Sequence, residues 1–204
     1  MIYMDNAATT RMSERAFEAM RPFFMEQYAN AAGTYSFANA SKEAVETARK
    51  QVAKVIGAKS AEIFFTCGGT ESDNWALKGV AQAYAAKGKH LIISAIEHHA
   101  ILHSAQALEK QGWDLTILPV NEYGVVTPEA LEAAIRPDTV LVSIMAANNE
   151  IGTVEPIKEL GAVCKKHGVL FQTDAVQAFA HIPLNVDEMN IDLLSASAHK
   201  FHGP

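Results

Sequence analysis

The sequence predicts an α/β fold built on a mostly parallel sheet with helices on both faces. Two observations predict it. Short apolar segments rich in β-branched residues alternate with longer amphipathic segments, which is the order of βαβ units. The short segments are apolar almost throughout, which is typical of parallel strands that are covered on both faces. With 204 residues, of which 49% are hydrophobic, the chain is long enough for one large domain with a sizeable core.

Six segments are predicted to form the buried strands. In chain order they are EIFFT at 62–66, HLIISA at 90–95, LTILPV at 115–120, TVLVSIMA at 139–146, VLFQTD at 169–174 and DLLSAS at 192–197. Because the strands are expected to run parallel, their carboxyl ends should meet at one edge of the sheet. Open α/β sheets bind their ligands at that edge.

Helices are predicted between the strands from apolar spacing and from residues that begin or end a helix. They cover 13–27, 41–57, 70–86, 100–111, the stretch opened by Thr127 and Pro128, and the stretch from Pro156 to Gly168. Ser41 is predicted to cap the second helix and Gly57 to end it. Thr127 is predicted as an N-cap followed by Pro128 at the first helical position.

Composition and charge argue against several classes of protein. The net charge of −6 and the absence of a basic stripe argue against a nucleic-acid-binding surface. The N-terminus lacks the pattern of a signal peptide, and no apolar run approaches the ~20 residues that span a bilayer. The two cysteines, Cys67 and Cys164, are too few for a disulfide framework. We therefore expect a cytoplasmic protein that does not bind membranes.

The first predicted strand is followed by CGGTESDN, a glycine-rich turn that leads into a helix. Gly69 lets the backbone approach an anion closely, and Thr70 and Ser72 offer hydroxyl groups beside the free N–H groups of the helix N-terminus. This arrangement can cradle a phosphate, although no Walker lysine follows. A tight turn with a capped helix explains the same residues.

The second strand is followed by EHHAILH. A histidine at this position, such as His98, can stack on a flat ring. His99 and His103 stand four residues apart and could share a metal ion, but no third ligand has suitable spacing, so no metal site is predicted. Ordinary surface histidines remain the alternative for each of them.

The ends of the next two strands carry amide and carboxylate groups. Asn148 and Asn149 can donate to an oxygen or stabilise a turn. Asp174 ends a strand that is predicted to be buried, where a carboxylate needs a partner. Alternatively, Asp174 caps a helix. Gln177, three residues further on, can face the same ligand.

The last predicted strand leads to Lys200, which is unusual at the inner end of a strand. A lone lysine is most often a surface residue. A desolvated lysine, however, has a lowered pKa and can form a Schiff base. Taken together, the strand ends supply what pyridoxal 5′-phosphate (PLP) requires. The set is Lys200 for its aldehyde, Asp174 for its ring nitrogen, the 68–72 turn with Ser197 for its phosphate, His98 for its ring face and Gln177 for its phenolic oxygen.

Six motifs in the chain also resemble a known family. DNAATT, GGTESDN, EHHAI, NNEIG, TDAVQ and SASAHKFHGP are similar, in order and spacing, to cysteine desulfurases of the NifS/IscS type. These enzymes belong to the class-V aminotransferases, and the resemblance covers essentially the whole chain. It implies the large-domain fold of aspartate-aminotransferase-like PLP enzymes.

The resemblance assigns roles residue by residue. It implies that Lys200 forms the Schiff base, that Asp174 pairs with the pyridine nitrogen and that Gln177 contacts the phenolic oxygen. His98 would stack on the ring and move protons, and Asn149 would lie near the cofactor and the substrate carboxylate. Thr70, Ser197 and His199 would contact the phosphate.

The implied reaction converts L-cysteine to L-alanine and passes the sulfur to a mobile enzyme cysteine as a persulfide. Neither cysteine of this chain matches that residue, since Cys67 lies in the phosphate turn and Cys164 in a helix, where both are interpreted as packing residues. The resemblance implies that relatives are about twice as long as this chain. It also implies that they are homodimers and that they deliver sulfur to an acceptor or scaffold protein. We therefore expect residues 1–14 to be a segment of the small domain and residues 15–204 to be a truncated large domain. We also expect the chain to be inactive on its own and to expose a strand edge.

Other interpretations remain open at this point. A different class-V enzyme, such as a selenocysteine lyase or an aminotransferase, would use much of the same cofactor site. A folded half that binds a partner without turnover would retain the fold but not the chemistry.

Overall fold

The structure is a computed structural model that describes residues 2–204. Its helices are α1 (Glu14–Met25), α2 (Asn39–Ile56), α3 (Gly69–Tyr84), α4 (His99–Glu109), α5 (Pro128–Ala134) and α6 (Ile157–His167). Its strands are β1 (His90–Ser94), β2 (Asp114–Leu118), β3 (Thr139–Ser143), β4 (Leu170–Asp174) and β5 (Leu193–Ser195). Within these residues, no helix is both long enough and apolar enough to cross a membrane.

The five strands form one parallel sheet in the order β2-β1-β3-β4-β5. The register places Ile92 beside Thr116 and Thr173 beside Leu194, so the carboxyl ends of the strands share one edge. The direction of winding reverses between β1 and β3. Ligands of open parallel sheets bind beyond the carboxyl ends near such a reversal. The predicted α/β class and its parallel sheet are confirmed.

The strands β1, β3 and β4 are buried on both faces, which explains why their sequences lack alternation, whereas the edge strand β2 is largely uncovered. Ile92, Val142 and Phe171 point to the face that α5 and α6 cover, and each is completely buried. Leu91 and Leu141 belong to the core on the opposite face, beneath α3 and α4. Burial of one such side chain contributes about 1.5–3 kcal/mol, so the two cores fix the sheet firmly between its helices.

The predicted strand at 62–66 is wrong. A 3-10 turn at Ser60–Glu62 is followed by extended residues that pair with no strand among the described residues. Phe64 and Phe65 remain 65% and 53% exposed. Phe64 contacts Trp75 edge-on, and the Arg49 guanidinium lies over the Phe65 ring, so side chains of α3 and α2 hold the segment. Aromatic and β-branched composition alone does not form a strand where no neighbouring strand offers a hydrogen-bonding edge.

The predicted helices are confirmed, and their ends differ from the predicted ones by one or two residues. Thr127 caps α5 through its hydroxyl, and Gly57 and Gly168 end α2 and α6 in the left-handed conformation. Ser41 is not a cap, because α2 begins at Asn39. Its hydroxyl instead donates to the Gln27 carbonyl oxygen at 2.8 Å and ties α2 to the turn after α1.

Candidate active site

A cleft of about 250 Å³ opens beyond the carboxyl ends of the strands. All nine residues predicted for the cofactor site line it: Gly69, Thr70, His98, Asn149, Asp174, Gln177, Ser197, His199 and Lys200. Asp73, Met145 and Val176 complete the lining. The residues that follow β1, β3, β4 and β5 reach one site because parallel strands end at one edge of the sheet. Gly69 and Thr70 do not follow a strand and reach the same site at the N-terminus of α3.

The glycine-rich turn and the N-terminus of α3 form one wall of the cleft. The helix begins at Gly69, so the N–H groups of its first turn and the positive end of its dipole face the opening. A Cβ atom at position 69 would lie 2.7 Å from Val176 Cγ2 and 3.7 Å from Ser197 Cβ. Only glycine allows the backbone this close to the opposite wall, which suits an anion that binds through main-chain N–H groups.

Asp174 lies at the floor of the cleft and is 4% exposed. Its Oδ1 accepts a hydrogen bond from the Val176 N–H at 2.8 Å. Burial raises the pKa of Asp174, while this hydrogen bond and the positive charges of His98 and Lys200 act against the rise. No Lys, Arg or His nitrogen of the described residues forms a salt bridge with this carboxylate. A cationic ligand in the cleft would therefore find a buried carboxyl group that has no salt-bridge partner.

Lys200 follows β5 in a short 3-10 turn, Ala198–Lys200. Its Nζ donates to the carbonyl oxygen of Ala8 at 2.9 Å and to that of Ala7. Burial lowers the pKa of Lys200, although Asp5 and Asp174 partly oppose this effect. A lysine with a lowered pKa is more often neutral at physiological pH, which is the form that attacks an aldehyde.

The N-terminal segment contacts the lysine turn and the side chain of Gln177. Gln177 Nε2 donates to the Ala7 carbonyl oxygen at 2.8 Å. The Thr10 hydroxyl donates to the His199 carbonyl oxygen at 2.8 Å and accepts from the His202 N–H at 2.7 Å. These bonds join the two ends of the described chain and position the residues on either side of Lys200.

His98 is exposed at the start of α4, where its Nδ1 accepts from the Ala100 N–H at 3.1 Å. This cap fixes the ring at the mouth of the cleft. The two asparagines that follow β3 have separate positions. Asn149 lines the cleft, whereas buried Asn148 accepts from the N–H groups of Glu150 and Ile151 at 2.8 and 2.9 Å. Asn148 therefore stabilises the turn, which was one of its two predicted roles.

His99 and His103 lie outside the cleft. Their rings stack on one face of α4 with centroids 4.9 Å apart. Within residues 2–204, no group of three or more His, Cys, Asp or Glu side chains is arranged to hold a metal ion.

The two cysteines occupy very different environments. Cys164 is fully buried in α6, as predicted, and burial raises its pKa to about 12. Cys67 is exposed, which corrects the interpretation of it as a packing residue. Its N–H donates to the Glu71 carboxylate at 2.5 Å, and Glu71 raises the pKa of the Cys67 thiol.

Two buried acids near the cleft were missed from the sequence. Asp73 lines the cleft and is 1% exposed. Glu97 accepts from the Ser94 hydroxyl at 2.6 Å and the Met145 N–H at 2.8 Å, while its Oε2 is buried without a hydrogen-bond partner. Burial raises the pKa of Glu97 to about 8, so it is protonated at neutral pH. Both acids lie in motifs that contain predicted site residues, Asp73 in GGTESDN and Glu97 in EHHAI. The sequence does not show that they are buried; only the fold does.

A second cleft, of about 290 Å³, lies near the amino ends of the strands and contains Lys87, Arg136 and His167. Its basic side chains are already engaged. Arg136 pairs with Asp114 and Asp138 at 2.8 and 2.9 Å, His167 contacts Glu132 at 2.6 Å, and Lys87 donates to the Gly168 carbonyl oxygen at 2.8 Å. This cleft therefore offers no free charge to a ligand.

Comparison with known proteins shows which family the chain resembles. The family model "Aminotransferase class-V" matches residues 2–204. Cysteine desulfurase IscS of Methanosarcina thermophila is 54% identical over 203 residues, which is all of this chain and 50% of that protein. Cysteine desulfurase IscS of Clostridium botulinum strain Kyoto is 55% identical over 203 residues, again all of this chain and 51% of that protein. The chain thus spans about half the length of the curated relatives that it matches.

A solved structure of SspA in complex with cysteine has the same fold, with a TM-score of 0.97 and 41% sequence identity. The match covers 100% of this chain and 59% of that one. Because the family model spans all the described residues and the fold agrees closely, the chain belongs to the class-V aminotransferase family.

Proposed function

We propose that this chain provides the cofactor-binding half of a PLP-dependent cysteine desulfurase. Such an enzyme is a transferase that converts L-cysteine to L-alanine and passes the sulfur to an enzyme cysteine as a persulfide. The observation that carries the proposal is that Lys200 and Asp174 line the same cleft as the N-terminus of α3. An amine, a buried acid and an anion cradle are the three groups that PLP requires together.

The residues of the cleft fit this cofactor. Asp174 is a buried carboxyl group that forms no salt bridge within residues 2–204, and a protonated ring nitrogen would supply one. The close approach at Gly69, where a Cβ atom would lie 2.7 Å from Val176, leaves main-chain N–H groups free for the phosphate. Thr70, Ser197 and His199 would add donors to that anion, and Gln177 would donate to the phenolic oxygen.

When bound, PLP supplies an aldehyde that condenses with amines and a ring that stabilises negative charge at the α-carbon of an amino acid. Lys200 would hold the aldehyde through Nζ and, once released by the substrate amine, would take the α-proton of L-cysteine. The lowered pKa of Lys200 favours its neutral, proton-accepting form. His98 would cover the ring at the mouth of the cleft and assist proton movement, and Asn149 would orient the substrate carboxylate.

Neither cysteine in residues 2–204 suits the role of sulfur acceptor. Cys164 is buried in the core with its pKa raised to about 12. Cys67 is exposed, but it does not line the cleft, and Glu71 raises the pKa of its thiol. We therefore propose that the acceptor cysteine lies outside these 204 residues and that they release little sulfur on their own.

We also propose, from the family resemblance, that residues 1–14 belong to a small domain and 15–204 to the large domain. From the same resemblance, the complete enzyme would be a cytoplasmic homodimer that works with a sulfur-acceptor or scaffold protein.

Absorbance spectroscopy tests the central proposal. We expect PLP added to the purified chain to give a Schiff-base band at about 400–430 nm. The band should vanish in Lys200→Ala and persist in Lys158→Ala, which removes an exposed lysine of α6. A wild-type chain without the band, or a band of full height in Lys200→Ala, would contradict the proposal. Robust sulfide release from L-cysteine would contradict the assignment of the acceptor cysteine.

A further inference from the structure

Asp73 is a buried acid of the cleft that has no role in the mechanism described above. It lies in the second turn of α3, is 1% exposed and contributes to the same wall as Gly69 and Thr70. An isolated charge at such a depth is costly, so the protonation state of this carboxyl group affects the whole site.

Side chains of the sheet fix the Asp73 carboxyl group. Gln172 Nε2 of β4 donates to Asp73 Oδ1 at 3.3 Å, and the Gln172 amide oxygen accepts from the Ser143 hydroxyl of β3. On β5, the Ser195 hydroxyl lies 2.9 Å from that of Ser72, the residue before Asp73. These bonds tie Asp73 to β4 and the preceding residue Ser72 to β5, so Asp73 cannot turn away without breaking its bond to Gln172.

The titratable groups around this position come from four elements. They are Asp174 at the end of β4, Glu97 and His98 after β1, Lys200 after β5, and Asp73 itself on α3. The cations are distributed unequally among the acids. His98 and Lys200 both act on Asp174, as does the Val176 N–H, whereas only neutral donors, Gln172 and Ser195, act on Asp73.

This asymmetry decides which acid holds a proton. Burial, followed by the negative charge of Asp174, raises the pKa of Asp73 to about 8. Two carboxylates that share a buried site cannot both ionise cheaply, and the charge remains on the group with the better positive surroundings. That group is Asp174, because His98 and Lys200 act on it.

We propose that Asp73 is a positioning residue that holds the proton of the Asp73–Asp174 pair and so keeps Asp174 as the charged partner of the cofactor ring nitrogen. The part that concerns the ring nitrogen rests on the proposed function. The part that concerns the pair does not, because it describes a property of the chain without cofactor.

Carboxyl NMR on the chain without cofactor tests the pair. The protein is labelled with ¹³C only at aspartate carboxyl groups, which keeps Glu97 out of the spectrum, and is titrated from acid to alkaline pH. We expect the resonance with the highest pKa to belong to Asp73 and to titrate above that of Asp174, whose pKa is also raised by burial. It should disappear in Asp73→Asn, which preserves the volume and hydrogen bonding of the side chain. It should persist in Asp187→Asn, which removes an exposed aspartate far from the cleft.

Asp174 provides the reciprocal measurement. In Asp174→Asn the pKa of Asp73 should fall, because that variant removes the negative charge that raises it. Asp73→Asn should leave the pKa of Asp174 nearly unchanged, because Asp73 is still uncharged when Asp174 ionises. If the resonance with the highest pKa survives in Asp73→Asn, the proton resides on Asp174 and the proposal is overturned. An unchanged pKa of Asp73 in Asp174→Asn would also overturn it.

A second measurement follows the cofactor. With PLP labelled with ¹⁵N at its ring nitrogen, we expect a protonated ring nitrogen at neutral pH in wild type and Asp73→Asn, and loss of that proton in Asp174→Asn. Loss of ring protonation in Asp73→Asn with retention in Asp174→Asn would reverse the two roles and overturn the proposal. If no Schiff-base band forms in the wild type, the proposed function fails, while the carboxyl titrations still decide the pair.

Discussion

The main-chain N–H and the hydroxyl group of Thr10 both donate to the carbonyl oxygen of His199, each at 2.8 Å, across 189 positions of sequence. The same hydroxyl accepts from the His202 N–H at 2.7 Å, and the Ser13 N–H donates to the His202 carbonyl oxygen at 2.9 Å. The N-terminal segment thus forms hydrogen bonds with His199 and His202, on either side of Lys200 in the sequence. The carbonyl oxygen of Ala8 also accepts from the Lys200 amine. The position of the proposed Schiff-base lysine therefore depends on residues at the opposite end of the sequence.

Replacement of Thr10 by valine tests these hydrogen bonds. Thr10→Val keeps the shape of the side chain but removes both bonds of the hydroxyl and leaves the half-buried His202 N–H without this partner. We expect a loss of about 1–3 kcal/mol in the free energy of unfolding, measured by urea denaturation. Thr9→Val is the matched control, because Thr9 is exposed and has one bond to the His199 ring at 3.0 Å. Equal losses in the two variants would contradict the prediction.

A second prediction concerns the packing of α6 against the segment that leads into β5. A Cβ atom at Gly161 would lie 1.9 Å from the Met189 carbonyl oxygen and 3.3 Å from Phe171 Cδ1. Because one neighbour is backbone and the other is a fully buried ring, neither can move freely. We expect Gly161→Ala to destabilise the chain by about 1–3 kcal/mol in urea denaturation. Unchanged stability would show that the 185–191 segment yields easily.

The sequence predicted the residues at the carboxyl edge of the sheet correctly, but it did not predict the structure of the 62–66 segment. Asp174 and Lys200 could be placed together because parallel strands bring their ends to one edge whatever the loops between them do. The 62–66 segment could not be judged in this way, because a strand requires a neighbour and composition does not reveal one. Asp73 and Glu97 could not be recognised either, because burial of a carboxyl group is a property of the packed helices and loops. The domain division at residue 14 stays a prediction.

A third prediction tests the anion cradle with two glycines of the same helix. In Gly69→Ala, the added methyl group would lie 2.7 Å from the stiff side chain of Val176 and must displace the turn or the valine. We expect the affinity for PLP, measured from the Schiff-base band, to fall about tenfold, which corresponds to about 1.4 kcal/mol.

Gly79→Ala is the control for this variant, because its methyl group would meet only Trp75 at 3.7 Å, an ordinary contact. It lies in the interior of α3, so alanine should raise the free energy of unfolding by about 0.5–1 kcal/mol and leave the affinity unchanged. The prediction is contradicted if both variants bind PLP as the wild type does.

The last prediction concerns Glu97 and the pH dependence of stability. Its pKa is raised from 4.5 to about 8 in the folded chain, so the folded state binds one more proton than the unfolded state between these values. The contribution of Glu97 to stability is therefore complete below about pH 4.5 and is lost as the pH rises toward about 8. Glu97→Gln removes this titration. The free energy of unfolding of the variant should therefore rise relative to that of the wild type by about 1.4 kcal/mol per pH unit near the middle of that window. Urea denaturation at several pH values measures the difference, and exposed Glu122→Gln should run parallel to the wild type. If the Glu97→Gln and wild-type curves are also parallel, Glu97 is ionised in the folded protein and the buried-acid interpretation is wrong.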